Sequence, residues 1–314
     1  ISAEPGSCTR PTVETQPSGV VRFVDEAPTT LNPLYARTAA DVRAQELIFF
    51  RLLTATADSV QPDCRLVDHY TTSDDNRQLR LTMAPSRWLD GAEVTASDVC
   101  FTVDAILDTR NPVPWAASHR RVLEGCSVEG AQAVVRFQHP VYNPVAWMAF
   151  PLLPAHMFGS DSLVPTDHAM SKTATGTRSE AILFDDGRVT YRVQNTPQSH
   201  PHIGRLEQQP PTTLEADAFA LVRGSVDGII DLAPAIRTRL NKATVHIEDY
   251  DLRTLWFILF DSRHPPLDGL LVRKAVRASL DREVFAWTLL RDAGHILHPI
   301  SGPFSHISPF YDTS

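Results

Sequence analysis

No stretch of this chain stays apolar for the ~18–20 residues that a membrane-spanning helix needs, and no low-complexity tract interrupts it. HExxH and the GxSxG elbow are both missing, so neither a zinc-protease nor a nucleophile-elbow signature is present. The nearest approach, Gly224-Ser225-Val226-Asp227-Gly228, carries its serine one place too early. No nucleophile, base and oxyanion signal converges, so no enzyme is expected. Positive charge is in the minority: 29 basic against 37 acidic residues give a net charge of −8. That balance disfavours nucleic acid and anionic lipid as partners. Glycine is scarce beside proline, 14 against 24, which implies many fixed loop connections.

Cysteine occurs only four times, at Cys8, Cys64, Cys100 and Cys126. None forms a CxxC pair or stands near a histidine at zinc-ligand spacing. The other histidine pairs are no better placed. His200-Pro201-His202 cannot put both rings on one helix face, and His295-x-x-His298 lacks a carboxylate pattern around it. No metal and no cofactor are therefore expected. An even number of cysteines fits two disulfides in an exported protein, with three connectivities open; four buried free thiols are the alternative. Cys100–Cys126 is favoured, because one lies in a capped helix and the other just before a strand that could pack on it. Cys8–Cys64 would then tie down the N-terminal arm. The chain opens at Ile1 without methionine or signal peptide, as a processed or trimmed export product would.

What is present is a mixture of strands and helices. Residues 1–18 are polar and proline-rich, an arm held mainly by Cys8. Gly19–Val24 (GVVRFV) predicts a strand, followed by the loop DEAPTTLNP. Helical spacing over 38–53 offers Ala40, Ala44, Leu47, Ile48 and Leu52 for burial. Alternation predicts strands over Gln78–Met83, Ala133–Gln138 and Val189–Val193. Residues 160–180, rich in Ser, Thr and Asp, predict a loop or crossover. Leu214–Arg223 predicts a helix ending at Gly224, and Thr254–Phe260 a buried strand. Two helices should follow. The first would line one face with Val272, Ala275, Val276, Ser279 and Leu280; the second, capped by Asp281, would bury Val284, Phe285 and Leu289. Without a regular βαβ beat, the fold class is α/β with an inserted α+β subdomain.

One stretch, RWLDGAEVTASDVCFTVDAIL (87–107), is more specific. Trp88 ends an extended run, Asp90-Gly91 is a turn dipeptide, and Thr95-Ala96-Ser97-Asp98 reads as a capping box. Val99, Val103 and Ile106, with Leu107 beside them, fall at helical spacing. Trp88 is expected to pack under the turn rather than face a ligand, and Trp256 and Phe257 to lie in the core.

In order along the chain, this stretch and its neighbours resemble the family 5 extracellular solute-binding proteins, the peptide- and nickel-binding receptors of ABC importers. PTTLNPLYA (28–36) is similar to the family's "t-LdP" loop, and Trp88, Asp90, Gly91, Thr95, Ala96, Asp98 and Val99 to its "W-DG-p-TA-DV-fT" signature. FPLLPAHMF (150–158), RVTYRVQNTPQSHPHIGRLE (188–207), ALVRGSVDGI (220–229) and LWFILFDSRHPPLDGLLVRKAVRASLDRE (255–283) continue the likeness, and GPFSHISPFY (302–311) closes it.

The resemblance implies a type II periplasmic binding protein-like first lobe with an inserted α+β subdomain and an incomplete second lobe. The main lobe would take residues 1–37 and 160–265, the inserted subdomain 38–159, and the helical start of the second lobe 266–314. Asp25, Glu26, Ala27 and Pro28 would lie at the cleft edge, where two carboxylates could meet a ligand amine or cation; a solvated acidic turn is the plain alternative. The implied partners are a small solute or peptide and an ABC permease or other envelope protein. The implied location is extracytoplasmic, in the periplasm or at the cell surface, with a lipid anchor possible upstream of residue 1. Two departures stand out. The family's glycine-rich "vGTGPY" hinge is reduced to TATGTRSEAIL (173–183), keeping Thr175, Gly176 and Thr177, and the chain stops at Ser314, soon after the second lobe begins. These departures raise a second expectation, an interaction module that keeps the fold, has lost transport and binds a partner protein.

Overall fold

The computed structural model describes residues 18–284, apart from 56–59, 64, 160, 194–201, 233–235, 237–239, 241–244, 249–257 and 283. In chain order the strands are β1 (Gly19–Val24), β2 (Leu53–Ala55), β3 (Val60–Pro62), β4 (Val67–Thr72), β5 (Gln78–Met83), β6 (Leu123–Glu129) and β7 (Gln132–Phe137). They continue with β8 (Thr173–Thr175), β9 (Ser179–Leu183), β10 (Val189–Val193), β11 (Ile203–Gln209) and β12 (Gly228–Ile229). The helices are α1 (Ala39–Ile48), α2 (Ala96–Leu107), α3 (Ala116–Val122), α4 (Leu214–Val222) and α5 (Leu270–Ser279). Two compact units result, one within 1–213 and 223–230, the other within 214–222 and 231–314.

In the first unit, GVVRFV forms β1 because its β-branched residues suit a sheet interior. It pairs in parallel with β11 on one side and β12 on the other. The sheet runs β12-β1-β11-β10-β9-β8, and β10, β9 and β8 continue it antiparallel. Val189 and Tyr191 point inward as the alternation requires, both essentially inaccessible.

A second sheet, β4-β5-β7-β6, is antiparallel throughout. Leu79 and Leu81 of β5 and Ala133, Val135 and Phe137 of β7 form its buried face, against Val99, Val103 and Ile106 of α2. Each fully buried aliphatic of that stripe stabilises the unit by about 1.5–3 kcal/mol. A disulfide joins Cys100 of α2 to Cys126 with Cα atoms 4.9 Å apart. The second candidate pair, Cys8 and Cys64, lies outside the described residues.

Several expectations need correction. Cys126 lies within a strand, β6, whose sequence LEGCSVE has little strand propensity; pairing with β7 overrides it. Residues 160–180 are not all loop. Thr173–Thr175 forms β8, and β9 starts at Ser179, because their backbone groups find ladder partners on a sheet that the local sequence does not announce. The helix predicted over 38–53 stops at Ile48, where the chain turns extended at Phe49. Of the strand expected at 254–260, residues 254–257 lie outside the described residues; 258–260 are not in a strand, and Leu259 is 84% exposed.

In the second unit, α4 matches the predicted helix; Gly224, just past it in sequence and assigned to the first unit, adopts φ +73°, a backbone state in which glycine avoids a Cβ penalty. α5 also forms, but none of its residues is buried, and its expected face of Val272, Ala275, Val276, Ser279 and Leu280 is exposed or half-exposed. An amphipathic stripe specifies a helix, whereas burial needs a second surface, which the described residues do not supply. Asp281 accepts the Val284 N–H at 3.0 Å, the N-cap bond that was expected, yet Val284 is exposed rather than buried. Phe285 and Leu289 lie outside the described residues, as do Trp256 and Phe257.

Candidate ligand-binding site

β1, β11 and β12 run parallel, so their C-terminal ends share one edge of the sheet. Open α/β sheets bind ligands outside such ends. The loop Asp25–Pro28 leaves β1 there. Asp25 is buried, and its carboxylate takes two bonds from Arg43, from Nε at 2.9 Å and from Nη2 at 2.5 Å. It also accepts the Glu26 N–H at 2.8 Å. Tyr191 donates its hydroxyl to Gln208 Oε1 at 2.6 Å, and Gln208 Nε2 donates to the Glu26 carbonyl at 2.7 Å. Burial, and then the negative charge of Asp25, push the Tyr191 phenol well above its ordinary range, so it remains a donor. Of the loop's two carboxylates, Asp25 is thus held by Arg43. The Glu26 side chain is exposed, with no partner among the described residues; Ala27 is half-buried and Pro28 buried.

The loop continues into a second polar knot. Asp41 is fully buried at the third position of α1. It accepts the Thr29 N–H at 2.6 Å, the Thr29 hydroxyl at 3.1 Å, and the Arg37 and Thr38 N–H groups at 2.9 Å each. Burial alone would raise its pKa; those donors outweigh it and hold the carboxyl below its ordinary range. Thr29, Arg37 and the start of α1 are thereby fixed to one anion.

Residues from this segment, Pro33, Ala36, Val42 and Gln45, line a cavity of about 810 Å³. Trp115, His119, Trp147 and Phe150 add an aromatic lining to it. The His119 ring meets Trp115 at 5.2 Å, Trp147 at 5.6 Å and Phe150 at 6.0 Å, each edge to face. Burial lowers the His119 pKa against the opposing backbone hydrogen bonds, which favours the neutral imidazole. A concave, mostly apolar surface with few polar groups is what small-molecule sites have in common. Sequence reading took in only Phe150, as the first residue of FPLLPAHMF, and gave none of the four a ligand role. They fall in or beside proline-rich connections, where no strand or helix period draws attention to them.

Residues 61–314 match the model of the bacterial extracellular solute-binding proteins, family 5 Middle. The chain belongs to this family. Family 5 solute-binding proteins are extracytoplasmic and bind solutes rather than catalyse reactions. Solved structures agree on the fold. The ABC transporter substrate-binding protein CtaP from Listeria monocytogenes is 22% identical with a TM-score of 0.78, over 92% of this chain and 60% of that one. The oligopeptide-binding protein AppA from Bacillus subtilis, in complex with a nonapeptide, is 17% identical with a TM-score of 0.76, over 95% and 60%. NikZ from Campylobacter jejuni, in complex with Ni(L-His), is 18% identical with a TM-score of 0.66, over 90% and 57%. The chain therefore spans about 60% of the length of the first two structures. Its fold is a type II periplasmic binding protein-like first lobe with an inserted α+β subdomain and an incomplete second lobe. No curated protein sequence matches it.

Within this family member, the signature stretch forms a structural knot. Trp88 is 1% exposed, and Gly91 turns the chain with φ +93° while its N–H bonds the Trp88 carbonyl at 2.9 Å. Asp90 accepts the Ala92 N–H at 3.0 Å and meets His156 Nε2 at 2.7 Å. Asp98 closes the capping box by accepting the Thr95 N–H at 2.7 Å, and its other oxygen takes the Ala155 N–H at 2.8 Å. Ala96 and Val99 are buried below the helix start. Burial raises the Asp98 pKa in spite of these bonds and of the Trp88 indole N–H, which faces the carboxylate without reaching hydrogen-bond geometry. Among the described residues, no group of three His, Cys, Asp or Glu side chains is placed to hold a metal ion. No described helix is long and apolar enough to cross a membrane.

The segment from Gly176 to Ser179 clamps the end of α1. A Cβ on Gly176 would stand 2.0 Å from the Ile48 carbonyl oxygen, so only glycine fits. Thr177 Oγ1 accepts the Phe50 N–H at 2.7 Å, and the Ser179 hydroxyl donates to the Leu47 carbonyl at 2.8 Å. Leu89 of the signature donates its N–H to the Gly176 carbonyl at 3.1 Å, which joins the two segments.

Proposed function

We propose that this chain captures a peptide or similar small solute outside the cytoplasm and presents it to an ABC importer. The observation that carries this reading is the aromatic cavity lined by Trp115, His119, Trp147 and Phe150 together with Pro33 and Val42. Edge-to-face aromatic walls suit an apolar or aromatic side chain. Glu26, exposed at the carboxyl edge of the sheet, supplies a carboxylate for a ligand amine. On this reading residues 1–37 and 160–265 make the main lobe, 38–159 the inserted subdomain and 266–314 the start of the second. The role is binding without catalysis, and the Cys100–Cys126 bond suits an oxidising compartment.

The test is calorimetric titration of the purified chain with short peptides that carry one aromatic residue. Trp115→Ala should weaken binding by about tenfold through the lost aromatic contact. Glu26→Gln should weaken peptides with a free amine more than their N-acetylated forms. An empty cavity alongside a stoichiometric protein partner would sink the transport reading and support an interaction module.

A further inference from the structure

The aromatic cavity has one feature that apolar binding does not use. Arg51 lines it, on the segment that bridges antiparallel to Pro151 at the cavity wall. No Asp or Glu is among the described residues that line the cavity. The lining histidines are His119, whose burial favours the neutral ring, and His139. Arg51 is therefore the lining side chain that is cationic at every working pH.

Its partners do not saturate it. Nη2 pairs with Glu46 at 3.0 Å, on a carboxylate whose side chain is 57% exposed, so water competes for that bond. Nε is buried and has no hydrogen-bond partner. A buried guanidinium N–H left unmatched carries the full desolvation penalty of a charged donor. In a molecule of net charge −8, a cation held half-paired against an acid-free aromatic wall is a local exception. Nε itself is closed off, so a planar carboxylate would meet the exposed part of the guanidinium through its Nη groups.

We propose that Arg51 determines specificity in this cavity by receiving the carboxylate of a ligand whose apolar body lies against Trp115, Trp147 and Phe150. The assignment rests on the solute-binding reading above. Two sources share this chemistry, the C-terminus of a peptide and a free aromatic acid.

The experiment uses the dipeptide Ala-Phe, its C-terminal amide and 3-phenylpropionate, titrated into the whole chain. The acid form of the dipeptide should bind at least about tenfold more tightly than the amide. Arg51→Gln should bring that ratio close to one by weakening the acid far more than the amide. Glu46→Gln removes the competing carboxylate and should tighten the acid roughly twofold; a merely unfolded or distorted variant would not bind more tightly. Phenylpropionate binding as well as the dipeptide assigns the site to aromatic acids, and dipeptide binding alone assigns it to peptide C-termini; either supports the proposal. Equal binding of acid and amide to the unmodified chain, or equal weakening of both by Arg51→Gln, overturns the role of Arg51 and leaves the cavity's solute-binding role standing. Failure of both acid and amide to bind overturns the solute-binding reading and this inference with it.

Discussion

α1 and α2 each begin with a threonine N-cap and an aspartate at the third helical position, Thr38 with Asp41 and Thr95 with Asp98. Both aspartates are buried, and both complete a capping box. Their ionisation nevertheless shifts in opposite directions, down for Asp41 and up for Asp98. Burial opposes the charge in each case. Asp41 overcomes it with the N–H groups of Thr29, Arg37 and Thr38 and the Thr29 hydroxyl. Asp98 has two short bonds, from Thr95 and Ala155, and a third from the Thr95 hydroxyl at 3.4 Å. The motif places the carboxylate; the number of donors around it decides whether the charge stabilises the fold. α1, which carries Val42 and Gln45 into the cavity wall, is thus anchored by a favoured charge.

The largest expected effect is that of Asp41→Ala. It removes a buried, charge-assisted acceptor shared by three backbone donors and should cost about 4 kcal/mol. Urea denaturation would measure this, and a loss no greater than that of Asp98→Ala would break the comparison. α2 has a covalent anchor that α1 lacks. Cys100 and Cys126 are 26 residues apart, and opening a loop of that length should cost about 3 kcal/mol. Chemical denaturation of the Cys100→Ser, Cys126→Ser double variant beside the unmodified chain, both without reductant, tests it.

Asp→Asn substitutions sharpen the comparison through pH, each costing about 2 kcal/mol where its effect is greatest. The folded pKa of Asp41 is lowered, so its contribution is present above the unfolded carboxylate pKa and is lost as pH falls through the folded value. The cost of Asp41→Asn should therefore shrink on acidification below about pH 4. The folded pKa of Asp98 is raised, so its contribution is full below the unfolded pKa and is lost as pH rises through the folded value. The cost of Asp98→Asn should accordingly be larger in acid than at neutral pH. Parallel pH trends for the two variants would contradict the assigned shifts.

Both capping boxes show how unevenly the sequence reveals the molecule. Thr95-Ala96-Ser97-Asp98 announces its box by local spacing, and the stripe Val99, Val103 and Ile106 follows because a helix period repeats within the segment. Asp41 is as regular, yet its main partner Thr29 stands twelve residues away, on the loop after β1, and no period connects them. β8, β9 and β6 escape notice for another reason: each pairs with its sequence neighbour in a hairpin, β8 with β9 and β6 with β7, but their own residues lack the alternation that announces a strand. The family resemblance was legible because motif order survives along the chain. The aromatic cavity was not, because Trp115 comes from the start of α3, and Trp147 and Phe150 from the connection after β7, and no period links the two segments. Asp25–Pro28 was legible as the loop after β1, but its internal bonds were not. Arg43, which holds Asp25, lies on the exposed-looking side of a helix pattern, and only the fold brings the two together.

The smallest effect expected is at the other end of α1. Thr177→Val keeps the side chain's shape in a site 2% exposed and removes the acceptor of the Phe50 N–H. The loss should be about 1 kcal/mol, since only one neutral backbone donor is stranded and a small shift of Phe50 could relieve it. Phe50 immediately precedes Arg51, so the same bond sets where the cavity's cation stands. If Thr177 acts on the site as well as on stability, Thr177→Val should narrow the acid-to-amide ratio while leaving the affinity for the amide intact. An unchanged ratio would confine Thr177 to holding the helix end. A fall in both affinities would mean that the clamp of Gly176, Thr177 and Ser179 on α1 shapes the whole cavity, as Asp41 does from the opposite end of the same helix.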